Sequence, residues 1–338
     1  MAQAFTDPLK LRFHSDDEPA EKVINYWSHD HPLFLTVVPP QAKNNNMPTD
    51  DDPITVCHCC VRPISSSTYY YSCKHDGCSF TLHKYCVELP RTLQQHALHQ
   101  QRDHPLHLVK LVHTFLLCDA CDKRCNTFFY ECGQRDCYFR IDVNCAFLPK
   151  IIKHEYFHKE HHLVQHTGPS WISRCKICEQ NFYKHVGYKC DACNFRLDLH
   201  CALKSPYSLP HRYCKGGHEV PLMCPPIEDH PEDFYCEICE EEMNPLIPLY
   251  YCGKCKNSFH IRCLSRVYRY ENYLREGSLN DPYYHNHPLT FVRRKKPSKE
   301  VCYRCNGDIN GFLFLECRTG NCSYCLCLEC WEPHPEHI

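Results

Sequence analysis

Hydrophobic positions along this chain come in short clusters rather than long runs. Tyr69-Tyr70-Tyr71, Phe128-Phe129-Tyr130, Val186-Gly187-Tyr188, Leu249-Tyr250-Tyr251 and Phe312-Leu313-Phe314-Leu315 each end one or two residues before a cysteine. Their aromatic and branched side chains predict short β-strands. A second apolar signature follows each of the first four clusters: Phe80-Thr81-Leu82-His83, Phe139-Arg140-Ile141-Asp142, Phe195-Arg196-Leu197-Asp198 and Phe259-His260. In each, the His or Asp stands three residues before a cysteine: Cys86, Cys145, Cys201 or Cys263. That spacing puts both side chains on one face of a helical turn. No stretch approaches the roughly 18–20 apolar residues of a membrane-spanning helix.

Composition explains why the apolar clusters are so short. The 338 residues include 31 cysteines and 26 histidines but only 11 glycines, with 25 prolines. Most of the cysteines fall into one pattern repeated five times, beginning at Cys57, Cys118, Cys175, Cys236 and Cys302, at intervals of 57 to 66 residues. A period of this length marks an array of small units. Each copy opens on a histidine two residues before a leucine or valine: His31, His104, His161, His218 and His287. A Cys-x2-Cys pair follows: Cys57/Cys60, Cys118/Cys121, Cys175/Cys178, Cys236/Cys239 and Cys302/Cys305. The second pair is Cys190/Cys193 and Cys252/Cys255 in copies three and four, and widens to Cys73/Cys78, Cys132/Cys137 and Cys317/Cys322 in the others. Copy five ends on Cys327 and Cys330.

Two thiolates two residues apart reach one tetrahedral Zn²⁺, so the spacing predicts structural zinc sites. Units of this size hold too little aliphatic surface to fold unaided, and metal binding supplies the missing free energy. The first residues, Met1 to Lys22, show no apolar secretory core. The cysteines therefore read as metal ligands in a reducing compartment, cytoplasmic or nuclear, rather than as disulfides. The insert from Pro39 to Asp52 reads as a surface loop.

His104-Pro-Leu106, Tyr188-Lys-Cys190-Asp-Ala-Cys193-Asn-Phe195-Arg-Leu197, Phe234-Tyr-Cys236-Glu-Ile-Cys239 and Cys145-Ala-Phe-Leu-Pro149 with His154 resemble the plant divergent C1 (DC1) zinc-finger family. The resemblance runs from about residue 29 to 338. It implies small zinc-stabilised α+β units, with short antiparallel strands and a short helix, five in tandem. They would follow an N-terminal extension, 1–28, and occupy 29–99, 104–158, 161–214, 218–285 and 287–338. It also implies two interleaved zinc sites per unit. The first would join the leading histidine, the second cysteine pair and a trailing residue. By copy, these sets are His31, Cys73, Cys78 and His96; His104, Cys132, Cys137 and His154; His161, Cys190, Cys193 and His211. They continue with His218, Cys252, Cys255 and His285, and with His287, Cys317, Cys322 and His337. Cys214 is an alternative to His211, and His334 to His337. The second site would join the first pair to His83 and Cys86, Asp142 and Cys145, Asp198 and Cys201, His260 and Cys263, or Cys327 and Cys330. Asp142 and Asp198 stand where the family pattern has histidine, which predicts carboxylate ligands and weaker sites.

The rest of the sequence narrows the function. Cys-x2-Cys as a redox pair needs a βαβ context that is missing, and four closing ligands per site leave no open position for catalysis. The expectation is a non-catalytic scaffold for protein partners in intracellular signalling or stress response. Cys236 to Cys263 followed by Cys302/Cys305 also matches the ligand order of a histone-binding PHD finger, the main alternative. The formal charge is −2, and sites with three thiolates carry further negative charge when loaded, which argues against nucleic acid. Arg293 to Lys299 is the one basic run and reads as a linker. Diacylglycerol recognition by C1 domains uses a Gln-Gly pair that no copy carries, which argues against a lipid ligand.

Overall fold

The structure is a computed structural model. It describes residues 21–37, 55–62, 64, 69–99, 103–111, 116–154, 157–167, 173–182, 186–203, 208–210, 218–227, 230, 235–261, 263, 277–279, 284–293, 300–307, 309, 313–327 and 330–331. His211, Cys214, His334, His337, the insert 39–52 that the sequence reads as a loop and the basic residues after Arg293 lie outside these.

The aromatic clusters form strands, each placed third in a four-stranded antiparallel sheet. In copy one the strands run Val23–Ile24, Leu33–Val37, Tyr69–Cys73 and Thr81–His83, paired in that order. Copy two repeats the meander with Thr92–Leu93, Leu106–Lys110, Phe128–Cys132 and Arg140–Asp142. The remaining sheets are 151–154, 158–167, 186–189 and 196–198; 208–210, 219–223, 249–252 and 257–259; and 277–279, 289–293, 313–317 and 325–327.

Each sheet thus begins with a strand upstream of the leading histidine, inside what the sequence assigned to the N-terminal extension for copy one and to the end of the preceding copy for the others. Tyrosine hydroxyls tie this lead-in down: Tyr130 donates to the Pro90 carbonyl at 2.7 Å and Tyr188 to that of Pro149 at 2.7 Å. Tyr71 reaches Glu21 the same way, at 2.9 Å.

Register explains the His-x-Leu opening. Leu33 pairs with Cys73, Leu106 with Cys132 and Leu289 with Cys317, which brings the histidine beside the second cysteine pair. These leucines are fully buried, as are Leu82, Ile141, Leu197, Phe259 and Leu326 just ahead of the final ligands. A few apolar residues between two ligand clusters make the whole core of each sheet.

Single helical turns follow the last strand at Lys84–Val87, Val143–Ala146 and Leu199–Leu203. Every first cysteine pair closes through one turn. The residue after it has positive φ: Val61 at 56°, Asp122 at 54°, Glu179 at 56°, Glu240 at 56° and Asn306 at 54°. Its N–H returns to the carbonyl of the first cysteine at 2.8–3.0 Å. Glu240 is exposed and a poor left-handed residue. Glu240→Gly should raise stability by about 0.5–1 kcal/mol, read as a higher unfolding midpoint of the metal-loaded protein.

The described residues divide into two compact units. Those within 148–269 make one, and those within 9–147 together with 270–338 make the other. Inside the second, copies one and two interlock. Arg62 Nε donates to Asn144 Oδ1 at 2.9 Å, Asn144 Nδ2 to the Cys60 carbonyl at 3.3 Å, and Thr127 Oγ1 to the Cys59 carbonyl at 2.9 Å. Asn144→Ala should cost about 2 kcal/mol by removing two hydrogen bonds that join the copies, measured as a lower denaturation midpoint. No helix among the described residues is long and apolar enough to cross a membrane.

Candidate metal centres

The first cysteine pair lies in the turn just described, held against the strand that carries the last ligands. The N–H groups of His58, Asp119, Lys176, Glu237 and Tyr303 donate across to Thr81, Arg140, Arg196, Ser258 and Cys325. In copy one this brings Cys57, Cys60, His83 and Cys86 together, all buried, with ligand atoms within 4.8 Å of one another. His83 Nδ1 is 3.3 Å from Cys60 Sγ and 3.9 Å from Cys86 Sγ. Copy four repeats the group with Cys236, Cys239, His260 and Cys263, at 3.4 and 3.8 Å from the imidazole. Tetrahedral zinc implies edges of about 3.5 Å between sulfur and nitrogen and about 3.8 Å between sulfurs. These separations are the edges of such a tetrahedron, and the donor set fits the metal.

Backbone N–H groups complete the surroundings of the thiolates. Those of Cys59 and His83 point at Cys57 Sγ, each at 3.4 Å, and those of Asp142, His260 and Cys327 at Cys118, Cys236 and Cys302 at the same distance. Such donors stabilise anionic sulfur and fix ligand orientation. Burial alone would raise the Cys57 thiol, but hydrogen bonds from Cys60 and Cys86 outweigh it and hold Cys57 well below its ordinary value. Burial pushes Cys86 well above it. A dication at the centre would favour the thiolate at both.

Copies two and three place a carboxylate at the same corner. Asp142 Oδ2 is 3.6 Å from Cys121 Sγ and Asp198 Oδ2 is 3.0 Å from Cys178 Sγ. The other oxygen does different work. Asp142 Oδ1 accepts from the Asn144 and Cys145 N–H groups at 2.8 and 3.0 Å, capping the helical turn, and Asp198 Oδ1 accepts from Cys201 N at 2.8 Å. His83 makes no such side-chain cap. Burial, with the neighbouring Cys175 thiolate, pushes the Asp198 carboxyl up to about 6. Asp142→His should therefore tighten metal binding while costing about 1 kcal/mol of metal-free stability through the lost cap. Competition with a chromophoric chelator reads the first effect and denaturation without metal the second. In copy five Cys305 and Cys327 approach to 3.9 Å, with Cys302 and Cys330 in hydrogen-bond contact, as a four-cysteine group.

In copies one, two, three and five the second cysteine pair meets two histidines, which lie before or at the start of the sheet's second strand. His29 and His31 join Cys73 and Cys78; His99 and His104 join Cys132 and Cys137; His158 and His161 join Cys190 and Cys193. In copy five His285 lies 3.2 Å from Cys322 and His287 3.7 Å from Cys317. Copy four has His218 at 3.7 and 3.4 Å from Cys252 and Cys255. His211 and Cys214, assigned to copy three from the sequence, lie outside the described residues.

This differs from the trailing ligand expected from the sequence. His96 Nε2 faces the Ala146 carbonyl at 2.9 Å, and His154 Nδ1 accepts from Phe157 N at 3.2 Å. His285 groups with copy five rather than copy four, so the copy-five site needs neither His334 nor His337. The extra histidine comes from the lead-in because the upstream strand already belongs to that sheet.

An aromatic wall marks the upstream histidine. His29 stacks on Phe80 at 4.3 Å, His99 on Phe139 at 4.8 Å, His158 on Phe195 at 4.5 Å and His285 on Tyr324 at 4.4 Å. Burial lowers the pKa of all four histidines, which keeps the imidazoles neutral as metal ligands must be. Phe195→Ala should weaken metal binding there by about 10–100-fold, as loss of an orienting neighbour does, without removing a donor.

The family model described as C1 domain matches residues 27–87 and 217–264. Over those two segments, about a third of the chain, the sequence is similar to the C1 domain family. Both C1 segments end one residue past the last cysteine of their copy, and the first holds His29 through Cys86 while stopping short of His96. The first match thus takes in the upstream histidine of the copy-one cluster, and the second begins one residue before His218. C1 domains bind zinc, and the Cys/His clusters in these segments fit that metal. No curated protein and no solved structure matches the chain. Cys302 and Cys305 group with Cys327 and Cys330, so the ligand order that suggested a PHD finger does not correspond to a cluster among the described residues.

Proposed function

We propose that the chain is a non-catalytic interaction scaffold built from five C1-like units in tandem, each holding two zinc ions. The units keep the expected order, but each starts at its lead-in strand rather than at the leading histidine. One observation carries the reading: apart from the second-pair cluster of copy four, where three donors lie among the described residues, the clusters supply four donors each, the closed set of a structural rather than a catalytic zinc. Their thiolates are wrapped by backbone N–H groups, so bound metal would hold the sheets together and leave the surfaces between ligands for partners. A signalling role, a protein partner and an intracellular, cytoplasmic or nuclear setting follow from the DC1 resemblance and from the thiol chemistry.

Lipid recognition is the competing use of this fold. Leu246, 84% exposed, is the most exposed large apolar side chain among the described residues, but a single apolar tip without the Gln-Gly pair makes a weak membrane anchor. Sedimentation with vesicles, with and without diacylglycerol, should show no diacylglycerol-dependent binding. Capture from plant extract should instead recover protein partners that are lost when the metal is chelated. Diacylglycerol-dependent sedimentation, abolished by Leu246→Asp, would replace the scaffold reading with a lipid-binding one.

A further inference from the structure

Copies one and two meet along a hydrogen-bonded seam whose bonds run between ligand-bearing turns. On the copy-one side, the turn from Cys57 to Arg62 carries two of the four donors and is closed by Cys57 N, which donates to the Arg62 carbonyl at 2.9 Å. On the copy-two side, the helical turn Val143–Ala146 begins at Asp142 and carries Cys145. Asn144 stands between those two ligands. Its backbone N–H donates to Asp142 Oδ1 at 2.8 Å, on the carboxylate whose other oxygen lies 3.6 Å from Cys121 Sγ. Its side-chain amide reaches into copy one: Nδ2 donates to the Cys60 carbonyl at 3.3 Å, and Oδ1 accepts from Arg62 Nε at 2.9 Å. One residue thus touches a ligand of each centre.

Asn144 is 2% exposed, so its amide cannot turn to water when a partner moves, and a buried amide that loses its partners is costly. Both side-chain bonds need the Cys57–Arg62 turn and the Val143–Ala146 turn in place at once. Each turn is held by its own ligands, so releasing metal from either centre loses the bonds for both. Bonds that exist only with both centres loaded are a coupling free energy, and the coupling acts equally in either direction. Asparagine at this position is peculiar to copy two. The residue before the last cysteine is Tyr85, His200, Arg262 or Glu329 in the other copies.

Taking both clusters as zinc sites, we propose that the centre of Cys57, Cys60, His83 and Cys86 and that of Cys118, Cys121, Asp142 and Cys145 load as a pair. Asn144 is the positioning residue that couples them. The carboxylate centre of copy two thereby gains affinity from the Cys/His centre of copy one, and the pair releases metal in one step despite unlike donors. Copy three has the donors of copy two, with Asp198 for Asp142, but lacks the asparagine.

The test uses the full chain loaded with zinc. Chelator is added in steps that lower free zinc, the thiols exposed at each step are alkylated, and peptide mapping assigns them to a centre. Cys57 and Cys60 report copy one, Cys118 and Cys121 copy two, and Cys175 and Cys178 copy three. Copies one and two should be alkylated at the same free zinc. Asn144→Ala should split that step in two, with copy two released at free zinc about tenfold higher than copy one; loss of stability alone would move both together. As a second variant, Asp142→His should protect Cys57 and Cys60 to lower free zinc while leaving Cys175 and Cys178 unmoved. Separate steps in the unsubstituted chain, a single step in Asn144→Ala, or no change at Cys57 and Cys60 in Asp142→His would each overturn the coupling. Alkylation indifferent to chelator would remove the zinc reading itself, and the coupling with it.

Discussion

Removing the metal should unfold the protein. A strong chelator is expected to abolish the near-ultraviolet signal of the tyrosine-rich sheets, and metal analysis of the starting protein should return two ions for each copy of the pattern. The size of the effect follows from how little else stabilises each sheet. Between its ligand clusters each sheet buries a handful of residues, such as Leu33, Tyr71 and Leu82 in copy one. A structural zinc site contributes roughly 10–16 kcal/mol in small fingers, whereas whole domains retain only about 5–15 kcal/mol of net stability. Metal-free protein that kept its tertiary signal, or a metal content of one or two ions per chain, would remove the basis for a zinc-built array.

Breaking one site should unfold one compact unit and spare the other. Cys60→Ala removes a ligand from a fully buried cluster whose turn is also bolted to copy two through Asn144 and Thr127. Loss of that site, about 10 kcal/mol, should therefore expose both copies to protease while residues 148–269 persist as a fragment. Cys239→Ala should do the reverse. Limited proteolysis with mass spectrometry distinguishes the two patterns, and identical digests would show that the units unfold together.

Much of this was readable in the sequence. The strands at Tyr69–Cys73 and Phe128–Cys132 and the turn at Lys84–Val87 follow from aromatic clustering and ligand spacing, and the cysteine pairs fall into the groups that the DC1 resemblance implies. What spacing could not supply is phase. In a tandem array a histidine between two copies can be counted with either, and His96 and His99 stand three residues apart. Only strand register decides, because the Thr92–Leu93 strand pairs forward with Leu106–Lys110. A local signal did exist: in copies one, two, three and five an aromatic stands two residues past the second pair, at Phe80, Phe139, Phe195 and Tyr324, and its ring needs a partner. The double use of Asp142 was also hidden, since sequence shows a ligand position but not that one oxygen caps the helix while the other faces the thiols.

The tyrosine hydroxyls that reach back to Pro90 and Pro149 bear on portability. A segment excised from its leading histidine would leave behind its edge strand, one of its two imidazoles and the carbonyl on which its central tyrosine rests. Copy two transplanted as 104–147 would thus arrive with an exposed sheet edge and an incomplete ligand set, whereas the same module cut from Pro90 would carry everything it needs. The lead-in strands between copies are structural parts of the copy that follows.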